Sequence, residues 1–500
     1  MLEALSKSRI VILFLGAILF RWLARGVYRV YFHPLHGFPG PKASAFTRLP
    51  HLNAIRRGKV HIYVAQLHEQ YGEVVRISPD ELSFLNPRVW RDIYAYGAKD
   101  GEGSAPPKHF HRYARNLNNT PALTTIRDPI EHARTRKIFT SAFSDRALTQ
   151  QSPLFTTYAD KLVRNLKQEG VVDLVSSFNY ATFDAMADLT FGESLHMLDN
   201  SEYNPWVKIM FEQIKIGVKL SLVYYYYPIV AGLLRKLLHK VIAKAQYTHF
   251  NFSRERVEKR MEKGRSSEGV DLWDLILQHE EKGKAAMSSA EMIVNANLFM
   301  VAGTETTATL LSGLTYLLLT HPDKMTKLVD EIRGQFASSD EITMEATQSL
   351  PYLNACIKEG LRRYPPVPVG LPHLTPADGS TVCGYYVPPG CTVGASHYAM
   401  YRSPRLFKDP LSFVPERWTG DERYANDERS AVQPFSYGAR DCLGKNMAYH
   451  EMRLLLSKVI YNFDLELLPE MEEKNWLDQR VFTLWEKSPM KVKVKSVDSI

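Results

Sequence analysis

Helical spacing of apolar residues dominates the pattern along the chain. The longest such segment begins with Ser-Ser-Ala-Glu at residues 288–291, a capping box, and stays apolar to Thr320, where His-Pro ends it. At 1.5 Å per residue this helix would be about 45 Å long, enough to cross a whole domain. Another helix is expected after Asp128, which precedes a proline suited to the first helical position. Residues 71–77, and short paired segments around Pro-Pro-Gly in residues 381–393, are typical of strands. The pattern predicts long helices together with a few short strands.

An unbroken apolar run at residues 10–20 lies close to the N-terminus, with basic residues on both sides. It is shorter than the roughly 20 residues of a spanning helix, and extension through residues 22–24 brings it close to that length. A cleaved signal peptide is the alternative, but no small-x-small cleavage site follows the run. We predict a membrane anchor in residues 1–29, a proline-rich hinge in residues 30–45, and one large domain in residues 46–500.

Composition narrows the function classes. The chain has 500 residues, 45% of them hydrophobic, which is enough for a large core. Its formal net charge of +8 is spread along the sequence without a basic block, so nucleic-acid binding is not expected. The four cysteines have no CxxC spacing, and a disulfide framework is not expected at this length. A domain on the reducing, cytosolic side of a membrane fits this composition.

A single cysteine between two glycines carries the candidate chemistry. Residues 435–444 read Phe-Ser-Tyr-Gly-Ala-Arg-Asp-Cys-Leu-Gly, and apolar side chains follow at helical spacing. Cys442 therefore lies just before or at a helix N-terminus, where unpaired N–H groups and the helix dipole favour a thiolate. A lone thiolate so placed suits an axial ligand of a haem iron. The alternative is a buried, inert cysteine in a glycine turn.

The neighbours of the cysteine have matching roles. Phe435 can shield the sulfur, and Gly438 permits a tight turn. Gly444 leaves room for a flat ligand against the backbone, while Arg440 can pair with an acidic group of that ligand. The pattern F-x-x-G-x-R-x-C-x-G resembles the haem-binding loop of the cytochrome P-450 monooxygenases. This resemblance implies haem b as the cofactor and the P-450 fold, which is mainly α with a smaller β-rich region.

The middle of the long helix consists of residues with low helix propensity. Residues 302–307 read Ala-Gly-Thr-Glu-Thr-Thr, a poor helix interior. A threonine hydroxyl there can bond the carbonyl of the preceding turn and widen the helix into a groove. The segment resembles the family's oxygen-binding motif. The resemblance makes Thr306 the oxygen-pocket alcohol and Glu305 the acid of a proton relay.

Further motifs fit the same family. His132 and Arg136 lie at i and i+4 of the helix after Asp128, and the resemblance implies hydrogen bonds to haem propionates. His373 stands where the family commonly has an arginine, so its contact with a propionate is left open. Glu359-x-x-Arg362, together with the Arg417 of a Phe-x-Pro-Glu-Arg-Trp element, resembles the family's buried charged triad.

The resemblance implies a reaction that inserts one atom of O₂ into a lipophilic small molecule, by hydroxylation or epoxidation. The chain has no flavin or nicotinamide fingerprint, so electrons would come from a separate NADPH-cytochrome P-450 reductase, docked on a basic face with Arg134, Lys137 and Lys445. Location in the endoplasmic reticulum membrane and a role in fungal secondary metabolism follow from the same likeness. The alternatives are a haem-thiolate isomerase, dehydratase or coupling enzyme, and a non-catalytic haem sensor or sterol-binding membrane protein.

Three regions are expected at the substrate. Residues that line the substrate pocket are expected near Asn297, Val301 and Ala302, in residues 367–371 and in residues 482–484. The Gly/Pro-rich loop in residues 97–127 matches a substrate-contacting segment of the family. The aromatic segment in residues 220–230 matches a mobile lid that touches the bilayer.

Overall fold

The computed structural model describes residues 2–95, 106–109, 120–168, 170–264, 271–281, 287–473 and 475–497. The α-helices are α1 Leu2–Tyr31, α2 Lys42–Phe46, α3 Leu49–Arg56, α4 Val60–Tyr71, α5 Pro129–Thr140, α6 Asp145–Gln168, α7 Leu174–Phe191, α8 Met197–Asn200, α9 Pro205–Tyr226, α10 Pro228–Glu262, α11 Leu272–Glu281, α12 Ser289–Leu319, α13 Pro322–Gln335, α14 Pro351–Arg363, α15 His397–Tyr401, α16 Lys445–Asn462 and α17 Pro469–Glu472.

In the part of the chain that the structure describes, short strands form four small sheets. The strands are β1 Val74–Ser78, β2 Glu81–Phe84, β3 Val171–Asp173, β4 His373–Leu374, β5 Ser380–Val382, β6 Tyr385–Val387, β7 Thr392–Ala395, β8 Phe463–Leu467, β9 Arg480–Phe482, β10 Leu484–Glu486 and β11 Lys491–Ser496. The sheet orders are β1-β2-β7-β4, β3-β11-β8, β5-β6 and β9-β10. All pairs are antiparallel except β2 with β7. The expected mainly α fold with a smaller β-rich region is confirmed.

Helix α12 forms the centre of the core and packs against α7, α10, α13, α14 and α16. Its N-terminus has the expected capping box, in which Ser288 and Glu291 satisfy each other's backbone N–H groups. Two glycines let neighbours approach closely. A Cβ on Gly303 would lie 2.8 Å from the Met186 side chain of α7, and a Cβ on Gly313 would lie 2.2 Å from the Tyr364 ring. Gly303 therefore has a packing role.

The N-terminal helix is the one described helix long and apolar enough to cross a membrane, over Arg9–Tyr31. It continues two residues beyond the expected anchor of residues 1–29, and α2 occupies the end of the expected hinge. Gly26 is its buried contact point with the main body, since a Cβ there would lie 2.2 Å from the Phe46 ring. The Trp22 ring packs edge-on against the Phe46 ring, with the two ring centroids 5.0 Å apart.

The strand pairing in residues 381–393 differs from the expectation. Strands β5 and β6 pair with each other across Cys383 and Gly384, whose φ angles are +51° and +85°. The Pro-Pro-Gly segment instead leads into β7, which pairs with β2 far away in sequence. The expected turn was misplaced because cysteine is not a usual turn residue. Here the Cys383 N–H donates to Asp92 Oδ2 at 2.8 Å and anchors the turn.

Two other expected segments have different outcomes. Residues 220–230 are helical except for a single break at Tyr227, where α9 ends and α10 begins at the proline. Most of the expected loop in residues 97–127 lies outside the described residues. Of its two described pieces, 106–109 and 120–127, the first runs beside β4, where the Leu374 N–H donates to the Pro107 carbonyl at 2.9 Å.

Candidate functional site

The cysteine loop lies at the start of α16, which begins at Lys445 with Gly444 as its N-cap. Cys442 precedes the helix as predicted, and its N–H donates to the Phe435 carbonyl at 2.9 Å, closing the loop. The Cys442 side chain is accessible to solvent, but protein atoms surround it on its other sides. This partial burial raises the pKa of the thiol. A hydrogen bond from the Gly444 N–H lowers that pKa but does not outweigh burial. Burial therefore opposes the effect of the helix N-terminus, which favours the thiolate.

The residues around the cysteine position the loop in different ways. Gly438 has a φ of +78°, and a Cβ there would lie 2.5 Å from the Tyr94 carbonyl oxygen, so the tight turn needs glycine. A Cβ on Gly444 would meet the Phe143 ring at an ordinary 3.7 Å, so the protein itself does not demand that glycine. Phe435 is half-buried and packs against Tyr449, with ring centroids 5.2 Å apart.

Basic side chains crowd beside this loop. Burial, followed by the charge of Arg440, lowers the pKa of the His132 imidazole to about 4. The charges of Arg136 and Lys108 make smaller contributions to this same shift. Arg440 Nη1 donates to the Ile126 carbonyl at 2.9 Å, and Arg136 donates to the carbonyl of Asp441 at 2.8 Å and to its carboxylate at 2.5 Å. Arg136 thus fixes α5 to the cysteine loop.

His373 and Lys108 complete the basic group. The His373 ring is buried, and its Nδ1 lies 2.6 Å from the Pro106 carbonyl oxygen. The pKa of the His373 imidazole is lowered to about 4, mainly by burial and to a smaller extent by the charges of Lys108 and Arg440. The hydrogen bond to Pro106 acts in the opposite direction. Burial and the charge of Arg440 lower the pKa of Lys108 to about 7. Sequence reasoning missed Lys108, which lies in a loop with no motif.

The threonine and the glutamate of α12 face different surroundings. Thr306 Oγ1 is accessible and donates to the Ala302 carbonyl at 2.6 Å, the expected bond to the preceding turn. The helix remains continuous there. Glu305 is buried and forms an ion pair with Lys487 Nζ, a partner that sequence reasoning also missed because it lies 182 residues further along the chain.

The structure brings the predicted charged triad together in full burial. Glu359 Oε1 lies 2.6 Å from Arg362 Nη2 and 3.2 Å from Arg417 Nε. Asp427 pairs with the other side of Arg417 and is a fourth member that no motif indicated. The Trp418 indole N–H donates to Glu359 Oε2 at 2.9 Å. The network therefore ties α14 to the segment that precedes the cysteine loop.

A cavity of about 550 Å³ reaches α12 one turn before Glu305. It is lined on α12 by Val294, Asn297, Leu298 and Val301, and elsewhere by mainly apolar side chains of α3, α4, α9, the 369–372 turn and the β9–β10 hairpin. Of the expected lining positions, six contribute to the cavity: Asn297, Val301, Val369, Gly370, Leu371 and Thr483. Five others do not: Ala302, Val367, Pro368, Phe482 and Leu484.

Comparison with known proteins decides the family. A family model described as Cytochrome P450 matches residues 39–494. The chain belongs to the cytochrome P450 family. It is similar to cytochrome P450 monooxygenase efuB of Hormonema carpetanum, at 44% identity over 95% of this chain and 94% of the relative. Cytochrome P450 monooxygenase FUM2 of Gibberella moniliformis is 43% identical over 93% and 99%, respectively, and astA of Talaromyces wortmannii is 40% identical over 94% of both chains.

The site of this P450 fits the haem-thiolate group that the family uses. The exposed thiol of Cys442 lies just before the N-terminus of α16. The basic side chains around Arg440 can pair with the acidic groups of a ligand. The enzyme is a haem-thiolate monooxygenase, as the resemblance implied. P450 monooxygenases use O₂ and a redox partner.

Proposed function

We propose that this P450 hydroxylates or epoxidises a lipophilic small molecule of fungal secondary metabolism. The apolar cavity that ends on α12 beside the oxygen-binding motif carries this proposal. Its size is in the range of ordinary small-molecule sites. The relatives named above are fungal monooxygenases, which supports the same reaction class.

Haem b is the proposed cofactor, and Cys442 its axial ligand. When bound, it supplies the binding and activation of O₂, which thiolate ligation favours. Arg440, His132, Arg136 and His373, with Lys108, would neutralise and hold its two propionates. Two of these bases, Arg440 and Arg136, also bond the backbone beside the cysteine loop, which supports a role in orienting the group. Gly438 would shape the loop, and Phe435 and Gly444 would flank the sulfur.

Thr306 and Glu305 are the proposed proton-transfer groups. The Thr306 hydroxyl donates to Ala302, so its lone pairs remain able to accept from a water molecule on the distal side. A proton held on such a water can then be transferred without a large movement of protein. Glu305, the next residue toward the N-terminus, would supply protons to this water.

Replacement of Thr306 by alanine is expected to divert electrons from product to hydrogen peroxide. Coupled turnover should fall at least about tenfold, because positioned proton transfer contributes factors of this size or more. Thr304→Ala is the matched control, since Thr304 makes the same bond to Met300 but is fully buried. The measurement is product and peroxide formed per NADPH oxidised. Unchanged coupling in Thr306→Ala would exclude the relay role.

Helix α1 is the proposed single anchor in the endoplasmic reticulum membrane. The exposed apolar surface of α1 supports this proposal. A second exposed apolar patch at the α9–α10 junction also supports it; this patch is formed by Ile229, Val230, Leu233 and Leu237. Leu222 and Val218 near that junction line the cavity, which supports a lid through which a substrate enters from the bilayer. The catalytic domain, from residue 46 onward, would then lie in the cytosol.

NADPH-cytochrome P450 reductase is the proposed electron donor, docked on the face around α5 and the start of α16. Lys137 and Lys445 are exposed there, whereas Arg134 already pairs with Glu131 and Glu291. Charge reversal in Lys137→Glu/Lys445→Glu is expected to lower reductase-driven turnover about tenfold or more at low salt, with less effect at high salt. Lys495→Glu, on exposed β11, is the control. Equal rates for all three proteins would place the docking face elsewhere.

The function is tested by comparing metabolites of the source organism with and without this gene. Accumulation of a compound one oxygen atom poorer than the lost product would identify the substrate and the reaction. Loss of a product without such a precursor would indicate a coupling or rearrangement reaction instead. NADPH-dependent oxygen uptake by the reconstituted system separates a monooxygenase from an isomerase, a dehydratase or a sensor.

A further inference from the structure

His61 of helix α4 is a buried histidine in the wall of the substrate cavity. The residue is only 2% exposed. Neither ring nitrogen forms a hydrogen bond with any described residue, and Nδ1 is completely buried. Buried polar atoms in proteins are nearly always hydrogen-bonded, because a missing bond costs free energy. An imidazole without a protein partner in a cavity wall therefore points to a partner inside the cavity.

Two aromatic neighbours fix the orientation of this imidazole. The Tyr398 and Trp485 rings pack nearly perpendicular to it, with centroid distances of 4.7 Å and 5.0 Å. Trp485 is itself held in place, because its indole N–H donates to the Pro365 carbonyl at 2.7 Å. With Nδ1 enclosed by protein, Nε2 is the nitrogen left for a ligand. Phenylalanine would make the same ring contacts, so packing does not explain the nitrogens.

The imidazole of His61 is neutral at physiological pH. Burial lowers its pKa to about 3, and the charges of Arg402 and Lys59 make smaller contributions to this shift, which Asp478 opposes. A neutral imidazole has one N–H donor and one acceptor. Since no described residue bonds either nitrogen, the ligand decides which of them carries the proton. Nε2 can therefore donate to a carbonyl or accept from a hydroxyl group.

Other polar side chains in the cavity wall are already bonded within the protein. Ser83 Oγ lies 2.8 Å from His68 Nε2. Asn297 Oδ1 accepts from Ser253 Oγ at 2.5 Å, and its Nδ2 donates to a backbone carbonyl at 3.2 Å. A polar atom of a ligand would have to compete with these bonds, whereas at His61 it would supply a bond that the protein does not make.

Helix α4 and helix α12 form different walls of the cavity. Helix α4 packs against α3, α15 and β1, while α12 lies at the centre of the core. The cavity of about 550 Å³ is lined by both helices, so a molecule that fills it contacts both. A group bonded to His61 is therefore separate from the carbon that the molecule presents to α12.

We propose that His61 is a specificity-determining residue that hydrogen-bonds a neutral oxygen group, a hydroxyl or a carbonyl, of the lipophilic substrate. The bond fixes which carbon of the substrate lies beside α12. At this position the charges of Arg402 and Lys59 disfavour a cationic group. A carboxylate would be desolvated without a counter-charge, because the imidazole is neutral and neither basic residue lines the cavity. The inference rests on the cavity as the substrate site of the proposed function and adds the chemical class of the substrate.

The test uses the full chain with haem in lipid nanodiscs and five compounds with the same carbon ring. Cyclododecanol and cyclododecanone carry a neutral oxygen group, and cyclododecane carries none. Cyclododecylamine and cyclododecanecarboxylate are the charged comparisons. Titrations followed by haem absorption give the Kd of each compound. In His61→Phe the ratio of the cyclododecane Kd to the Kd of the alcohol or the ketone should fall about tenfold, because the oxygen of the ligand loses its partner.

The ratio separates recognition from structural damage. A general loss of fit weakens all compounds alike, and partition into lipid is the same for every variant, so neither changes the ratio. His450→Phe is the matched control, since His450 is a half-buried histidine of α16 outside the cavity lining. It should keep the wild-type ratio. His61→Gln keeps a donor and an acceptor and should restore part of the preference. If His61→Phe folds poorly, His61→Leu removes the same nitrogens and should show the same loss.

A second measurement reports the hydrogen bond itself. Infrared difference spectra of bound cyclododecanone, with and without a heavy-isotope label at the carbonyl carbon, isolate the C=O stretching band of the ligand. In the wild type this band should lie at lower wavenumber than for the ketone in a hydrocarbon solvent, because the carbonyl accepts a bond. In His61→Phe it should move toward the solvent value.

The outcomes separate the role of His61 from the role of the cavity. Equal Kd ratios in wild type, His61→Phe and His61→Leu would overturn the role of His61 and leave the cavity as the substrate site. A larger His61-dependent preference for the amine or the carboxylate than for the alcohol would overturn the assignment of a neutral oxygen group. If none of the five compounds binds to the wild-type protein, the cavity is not the substrate site and both ideas fail.

Discussion

Replacement of Cys442 by serine is expected to abolish thiolate ligation of the haem and with it the monooxygenase reaction. An alcohol gives up its proton far less readily than a thiol, so serine cannot supply the electron-rich sulfur that favours O–O cleavage. Turnover should fall by more than about 100-fold, as for loss of a group central to catalysis. The measurement is the absorption spectrum of the reduced, CO-bound full chain in detergent, together with reductase-driven turnover.

Cys383→Ser is the control for this change. Cys383 is half-buried and lies in the turn between β5 and β6, remote in sequence from the α16 loop. It should keep the thiolate-type spectrum. Retention of that spectrum by Cys442→Ser would contradict both the axial-ligand assignment and the role of the loop.

Replacement of Arg362 by methionine is expected to be the most destabilising single change. The guanidinium bonds both oxygens of Glu359 and the backbone carbonyls of Tyr401, Pro410 and Ser412. Methionine fills similar space but leaves a fully buried carboxylate without one of its cations. The free energy of unfolding should fall by about 3–5 kcal/mol, the usual cost of breaking a buried pair. Denaturant titration followed by tryptophan fluorescence measures it.

A surface pair provides the comparison. Arg423 forms a bidentate contact with Asp421 in which the arginine is largely exposed. Arg423→Met should leave the free energy of unfolding nearly unchanged, because solvent screens such pairs. Equal losses in the two variants would mean that the buried network around Glu359 contributes no more than a surface ion pair.

Local patterns predicted the elements whose structure depends on nearby residues. The capping box at Ser288, the cap at Asp128 and the stop after Thr320 use contacts within a few residues, and all three helix ends are confirmed. The position of Cys442 before α16 follows from the same kind of signal. The bond of Thr306 to Ala302 was also foreseeable, because it is closed within one helical turn.

Local patterns failed where a partner lies far along the chain. The sequence around Glu305 does not indicate that its ion-pair partner is Lys487. The motif around Arg417 likewise does not indicate the ion pair with Asp427. Lys108 joins the basic group only because residues 106–109 run beside β4. Strand β7 was expected to pair within its own segment, but it pairs with β2, since strand partners are chosen by packing of the whole sheet.

The sequence by itself determined the family and the helical architecture, and it predicted Cys442 as the ligand and Glu305 with Thr306 as the acid–alcohol pair, because each of these rests on residue types at fixed short spacing. Only the tertiary structure decided how these groups are connected. It placed Glu305 against a buried lysine, Arg136 against the cysteine loop, and the cavity between α12 and the β9–β10 hairpin. Such contacts depend on burial and on the free energy of bringing distant segments together, which no periodicity along the chain records.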